Sequence, residues 1–345
     1  GANYNASTSQ ETTCYWAHVL PKFLPRAIDL LSDMLRPSLR HEDFEVERKV
    51  ILEEIGMYAD RPFWIAYEQA MADHHGDHGL GHRILGTPGT IASMKAERMR
   101  HYFEQRYRPD NIVCALAGQV DVKACLRQIE TACGSWPAGG SARSHEPVRR
   151  RYTRRTMRRP SVNMHYVVGI GPGPSDQDED RHAAAVLSYV LGDSEGSRLY
   201  WKLIDPGLAD EVELSHQGFD RTGSMMFYVS CPTENAEQVE AILDQELHSA
   251  AENLSDAEVQ RAVSKMAMGL TLRGEKPLGR MMNLGGQWLA LGRHLSLEEH
   301  LAHIEAVTCD DLRAVVEKYP LDRHARVRLG PGDADDGEAV NSDPG

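Results

Sequence analysis

At 345 residues the chain is long enough for two domains of ordinary size. Its 41% hydrophobic and 26% charged residues exclude a disordered chain, and no apolar run approaches the roughly eighteen residues of a transmembrane helix. A formal charge of -13 argues against a general nucleic-acid binder, so neither nucleic acid nor membrane is expected as a partner.

The segment "NYNASTSQETTCYWAHVL" is rich in Thr, Tyr, Trp and Val and reads as strand, with a turn at Ser9–Gln10. "LPRAIDLLSDMLRPSL" predicts a helix that ends near Pro37. Next, "VERKVILEEIGMYAD" sets Val46, Val50, Ile51, Ile55 and Met57 at roughly helical spacing, so an amphipathic helix with a buried apolar stripe is expected. Glu47 and Glu54 lie two helical turns apart and stack their carboxylates on one face, while Glu53 points away. Near Pro62 the helix breaks, and "FWIAYEQAMADHH" gives a second helical piece. A Gly- and Pro-punctuated loop, "GHRILGTPGTIASM", leads into the helix "KAERMRHYFEQRYR". "NIVCALAGQV" reads as a clean strand and "DVKACLRQIETACGSW" as a helix capped by Asp121.

These elements make an α+β unit over residues 1–137. Residues 138–160, with "RRRYTRRTMRRP", read as a solvated basic linker lying across an acidic protein. A second α+β unit over 161–331 repeats the order: the strand "SVNMHYVVGIG", the helix "EDRHAAAVLSYVLG", two strands, then helices and a last strand "HARVRLGP". Strand-then-helix order in both halves suggests duplication of one module. Residues 332–345 are acidic and Gly/Pro-rich and are expected to be a disordered tail. The six cysteines form no C-x-x-C pair, so reduced thiols in a reducing compartment, the cytoplasm, are expected.

Several stretches compete as sites. "HHGDHGLGH" offers His74, His75, His78 and His82, yet no second ligand cluster sits nearby, and it reads as a polar loop after a helix. "LGGQWLALG" follows no strand and fails as a phosphate loop. In "HLSLEEH", His294 and His300 flank Glu298 and Glu299 six residues apart, whereas a zinc helix sets its histidines four apart. On its own the Glu47/Glu54 ladder would be a solvated acidic face.

Its surroundings change that reading. "GANYNASTSQETTCYWAHVL", "FEVERKVILEEIGMYAD", "LGHRILGT" and "YFEQRYRPDNIVCALAGQVD" stand in an order and spacing that resembles the zinc metallopeptidases of the pitrilysin/insulinase family, in the branch of the mitochondrial processing peptidases. "EGSRLYWKLIDPGLADEV" and "SLEEHLAHIEAVTCDDLRAVVEKY" resemble that family's C-terminal domain. The resemblance runs from Gly1 to about Pro331. It implies an α+β fold of two homologous domains, each a mainly antiparallel sheet with helices packed on one face, enclosing a cleft. It also implies a zinc cofactor, held by an inverted H-x-x-E-H helix plus a Glu on a later helix. By its place in the E-R-x-x-x-x-x-E pattern, Glu54 matches the third zinc ligand, and Glu47 the outer carboxylate that supports it. Asn5 and Ala6 match the strand edge along which the family pairs with extended substrate. Unfolded peptides are the implied substrates, and a homo- or hetero-oligomer with another family member is an implied assembly.

Two departures stand out. Residues 1–345 contain no H-x-x-E-H, so both histidine ligands and the glutamate base are lacking, and this chain alone is expected neither to bind zinc tightly nor to cleave. With a Gly first and an intact Glu47/Glu54 pair, the expectation is a protease whose N-terminal segment is missing, the alternative being a non-catalytic member that binds peptides or scaffolds an active partner. Second, the family's substrate-reaching Arg and Tyr are replaced by Ile204 and Asp210 in "LIDPGLAD". Clamping of substrate from the second domain is therefore in doubt.

Overall fold

The computed structural model describes residues 1–140 and 146–341. In chain order its strands are β1 (Asn3–Thr8), β2 (Thr13–His18), β3 (Thr153–Arg159), β4 (His165–Gly173), β5 (Glu211–Phe219), β6 (Thr222–Cys231), β7 (Ala325–Pro331) and β8 (Val340–Asn341). The helices are α1 (Leu24–Met34), α2 (His41–Tyr58), α3 (Pro62–His75), α4 (Pro88–Ser93), α5 (Ala96–Arg106), α6 (Val122–Cys133), α7 (Arg181–Gly192), α8 (Ala236–His248), α9 (Asp256–Glu275), α10 (Pro277–Leu291), α11 (Leu297–Glu305) and α12 (Cys309–Lys318). The fold is mixed α+β, as expected.

The described residues within Gly1–Ile55, Ile84–His145 and Leu272–His294 form one compact unit. Those within Gly56–Arg83, Glu146–Thr271 and Leu295–Gly345 form the other. The division differs from a simple cut at residues 138–160, because α3 belongs to the second unit and α10 to the first.

In the first unit, β1 and β2 pair antiparallel around the turn read from the sequence, with Asn5 opposite Trp16 and Ala6 opposite Tyr15. Asp121 caps α6 by accepting from the Ala124 N–H at 3.0 Å. α6 packs on α1, burying Ile28 and Cys125. Two expectations fail here. Residues 112–117 form no strand, because a strand needs a ladder partner and none of the described residues supplies one. The apolar stripe of α2 is not buried either: Val46 and Met57 are 64% and 63% exposed, and Phe44 is the helix's one buried residue. No described element covers that face.

The second unit is built on a six-stranded sheet of order β5-β6-β4-β7-β3-β8, antiparallel except where β3 runs parallel to β7. Strand alternation sends β6 side chains to two cores. Met225, Phe227 and Val229 join residues of α7, α8 and α12 on one face. Met226 and Tyr228 join Val168, Ile170, Val327 and Leu329 on the other, where Ala66, Tyr67, Ala70 and Met71 of α3 pack. The larger helical layer thus lies on one face, and α3 covers the opposite one. β3 and β8 correct two further expectations. Thr153–Arg159 lies inside the stretch read as a solvated linker, yet it pairs with β7 and buries Met157. Residues 332–341, read as disordered, lie along β3, and Arg158 and Asp335 exchange backbone hydrogen bonds at 2.7 and 3.1 Å. The rest of those two stretches, residues 141–145 and 342–345, lies outside the described residues.

Candidate functional site

α2 is one unbroken helix of 18 residues, so Glu47 and Glu54 stand two turns apart along one face. Glu47 is exposed and Glu54 half-buried, and neither has a hydrogen-bond or ion-pair partner among the described residues. Arg48, between them in sequence, is held instead by Glu45, which accepts from its Nη2 at 2.6 Å. Glu47 lies on a mostly apolar groove of about 300 Å³, lined also by Leu39, Phe44, Ile51, Ile91 and Met99. The ladder therefore offers two uncommitted carboxylates, one of them beside an open apolar surface.

β1 is exposed along its whole length and pairs with β2 alone. Its second edge has no strand neighbour among the described residues, so its backbone groups can receive an extended chain. Asn5 sits on that strand with its Oδ1 accepting from the Ala6 N–H at 2.9 Å.

The remaining candidates fall elsewhere. His74 and His75 end α3, as the helical reading of "FWIAYEQAMADHH" has them, instead of opening a polar loop, and they are buried, at 0% and 2% exposure. Burial, opposed by a bond to the Arg151 carbonyl at 3.2 Å and helped by Arg150, pushes His74 down to about 4. Burial with His74, His78 and Arg150 pushes His75 down to about 3. His78 Nδ1 accepts from the Leu80 N–H at 3.2 Å, and His82 is exposed. Four histidines close in sequence thus stand in different surroundings. His294 Nδ1 lies 3.1 Å from Gln287 Oε1. Ile204 closes a π-helical turn, Tyr200–Ile204, and packs partly buried against the larger core, while Asp210 is exposed with its N–H donating to Ser230 O at 2.9 Å. Neither residue reproduces an Arg or a Tyr.

No group of three His, Cys, Asp or Glu side chains among the described residues is disposed to hold a metal ion. A zinc site takes about three protein ligands, and Glu54 offers one carboxylate. The residues present do not by themselves fit zinc.

A charged network in the second unit went unread in the sequence. Arg326 is 1% exposed, and its Nη1 donates to Glu240 at 3.1 Å and to Asp244 at 3.2 Å. Arg328 Nε and His165 Nε2 also meet Glu240, at 2.7 and 2.9 Å. Burial alone raises the Glu240 carboxyl, but bonds from His165 and Arg328 with the charges of both arginines outweigh it and hold it down to about 2. The available signal was the alternation Arg326, Val327, Arg328, Leu329, which puts both arginines on one face.

Residues 1–88 match the family model "Insulinase (Peptidase family M16)", and residues 93–266 match "Peptidase M16 inactive domain". An uncharacterized zinc protease of Streptomyces coelicolor is 36% identical over 346 residues, spanning 96% of this chain and 74% of that protein. The mitochondrial-processing peptidase subunit beta of Caenorhabditis elegans is 27% identical, spanning 93% of this chain and 72% of that one. In fold, a protease from Helicobacter pylori superposes with a TM-score of 0.87 at 18% identity, over 96% of this chain and 82% of that one. The chain belongs to the insulinase family, peptidase family M16.

Proposed function

We propose that the protein serves zinc-dependent endoproteolysis of unfolded peptides, with β1 receiving the substrate as an added strand at Asn5–Ala6 and Glu54 acting as one metal-ligating carboxylate. The observation that carries this reading is the pair of uncommitted carboxylates on α2, at the positions where the resemblance calls for them, in a chain of this family. Glu47 lies two turns from Glu54 and would orient the groups behind the metal rather than hold it. An open β edge reads backbone rather than side chains, which suits extended chains of varied sequence. The six free thiols support a cytoplasmic location. An assembly with another family member belongs to the same proposal, in keeping with a relative that is a peptidase subunit.

Residues 1–345 alone are expected to bind zinc weakly and to leave peptides uncut, since two donors and the base are lacking. The test joins a segment bearing H-x-x-E-H ahead of Gly1 and follows zinc content and cleavage of a fluorogenic unfolded peptide. Zinc-dependent cleavage is expected to appear. Glu54→Gln should then remove most of the metal, because an amide is a poor substitute for a carboxylate ligand. Glu47→Gln should cost less, about 10- to 100-fold in affinity or activity. Equal and small effects at both positions would return the ladder to a solvated helix face.

Ile204 and Asp210 favour a second reading, a peptide-binding member without catalysis, because the family's clamp residues are absent. Binding of the same peptide by the joined chain, with zinc bound and no cleavage, would select it.

A further inference from the structure

β3 carries Arg154, Arg155, Arg158 and Arg159 within seven residues. Its inner edge pairs with β7 over six residues, whereas among the described residues its outer edge meets only the segment 332–341. That segment holds Asp333, Asp335, Asp336 and Glu338. It touches the strand at two places. Arg158 N–H donates to Asp335 O at 2.7 Å and Asp335 N–H to Arg158 O at 3.1 Å. Further along, Val340 pairs with Arg154 and Asn341 with Thr153. Between them the segment bulges at Gly337, where φ is +57° and a Cβ would sit 2.1 Å from Thr156 O.

Side chains read the segment as well. Arg155 holds Asp73 with Nε and Nη2 at 2.7 and 2.8 Å, which leaves Nη1 to donate to Gly337 O at 2.6 Å and Asp336 O at 3.3 Å. Arg159 pairs with the Asp336 carboxylate and reaches Asp335 O at 3.3 Å. The match is incomplete. The Arg158 side chain is exposed and meets no carboxylate among the described residues, and neither do Asp333 and Glu338 find a cation. The covering segment therefore leaves one arginine of the edge unused, and it is held by two short patches rather than a continuous ladder. None of its contacts requires the acidic strand to belong to the same chain: they read backbone carbonyls, backbone N–H groups and one carboxylate.

We propose that the outer edge of β3 is a docking edge for an extended acidic segment of a partner polypeptide, added as a strand, and that residues 332–341 occupy this edge in cis until displaced. The partner's Asp or Glu would stand against Arg159, and a second acidic side chain against Arg158, the contact the cis segment does not make. Isolated edge strands are ordinarily blunted by charge, and a basic edge covered by an acidic strap selects among incoming strands by sign.

The test uses the full chain and a fluorescein-labelled peptide of residues 332–341, read by anisotropy. Asp335→Lys with Asp336→Lys loosens the cis segment without touching β3. The peptide is expected to bind this variant at least about tenfold more tightly than the unaltered chain, and binding should weaken by a similar factor with rising salt. Arg159→Ala in the loosened background should abolish binding, and Arg159→Gln should weaken it, a milder change in case the Ala variant does not fold. A peptide with its Asp and Glu residues replaced by Asn and Gln should not bind. Equal binding to loosened and unaltered chains, or binding indifferent to both Arg159 variants, would overturn the proposal. So would self-association of the loosened variant that excludes the peptide, which would make a second copy the occupant.

Discussion

His75 should make the second unit sensitive to acid. The ring is 2% exposed at the last position of α3, and neither of its nitrogens has a partner among the described residues. It lies 4.8 Å from the His74 ring and 6.4 Å from the Phe219 ring, centroid to centroid, with His78 and Arg150 also nearby. Burial and those neighbours push His75 down to about 3, and burial pushes His74 down to about 4. Unfolded, both rings return to about 6.5. The folded values lie below the unfolded one, so stability is complete above about pH 6.5 and is lost as pH falls towards 4 and 3. At pH 5 the unfolded chain carries a proton on each ring that the folded chain refuses, a loss of about 2 kcal/mol per histidine and about 4 kcal/mol for the pair. That is a large share of an ordinary stability of about 5–15 kcal/mol. His75→Leu fills similar volume and gives up no hydrogen bond, so it should be near neutral at pH 7 and should recover about 2 kcal/mol at pH 5. Urea unfolding at the two pH values, with the two chains compared, reads this directly. Parallel losses in both chains would show that His75 is protonated in the folded state or that its site opens before it titrates.

Glu240→Gln should destabilise by about 3 kcal/mol, seen as a lower melting temperature, because among the described residues it leaves the buried Arg326 with Asp244 as its one anionic partner. Ile204→Ala should lower stability by about 1–2 kcal/mol, through its packing against the core, and Asp210→Ala should change little. In the joined, zinc-binding chain neither change should alter cleavage much, and a drop of about a hundredfold, or about 2.7 kcal/mol in the barrier, would mean that these residues have taken over the clamp. Amides of α2 should exchange with deuterium at least roughly tenfold faster than those of α7, since Phe44 is the one buried residue of α2 while α7 buries eight.

The sequence carried the elements whose signals are local. The hairpin of β1 and β2 was legible because β-branched and aromatic residues flank a polar turn, and α6 because Asp121 caps an amphipathic run. It misled where the outcome rests on a distant partner. Residues 112–117 have every property of a strand except a ladder partner among the described residues, and "TRRTMRR" has few properties of one yet is a strand, because β7 and segment 332–341 flank it. His74 and His75 were legible as the end of a helix but not as buried, because two polar side chains in sequence say nothing of the sheet face that α3 packs on. The Glu47/Glu54 ladder was legible as a pattern and by resemblance, since helix periodicity fixes which residues share a face.

What periodicity does not fix is which face is buried, and α2 shows why this matters for a site. The second unit holds two cores against one sheet, so the positions of Arg326 or Glu240 are set by many neighbours at once. The first unit buries few apolar residues, Ile28, Phe44, Ile91, Ala96 and Cys125 among them, and leaves Val46, Val50 and Met57 of α2 open. A carboxylate holds a metal usefully only when its rotamer and its helix are held within a fraction of an ångström by what packs around them. Glu54 has no bonding partner among the described residues and stands on a helix with a single buried residue, so the described residues do little to fix its rotamer.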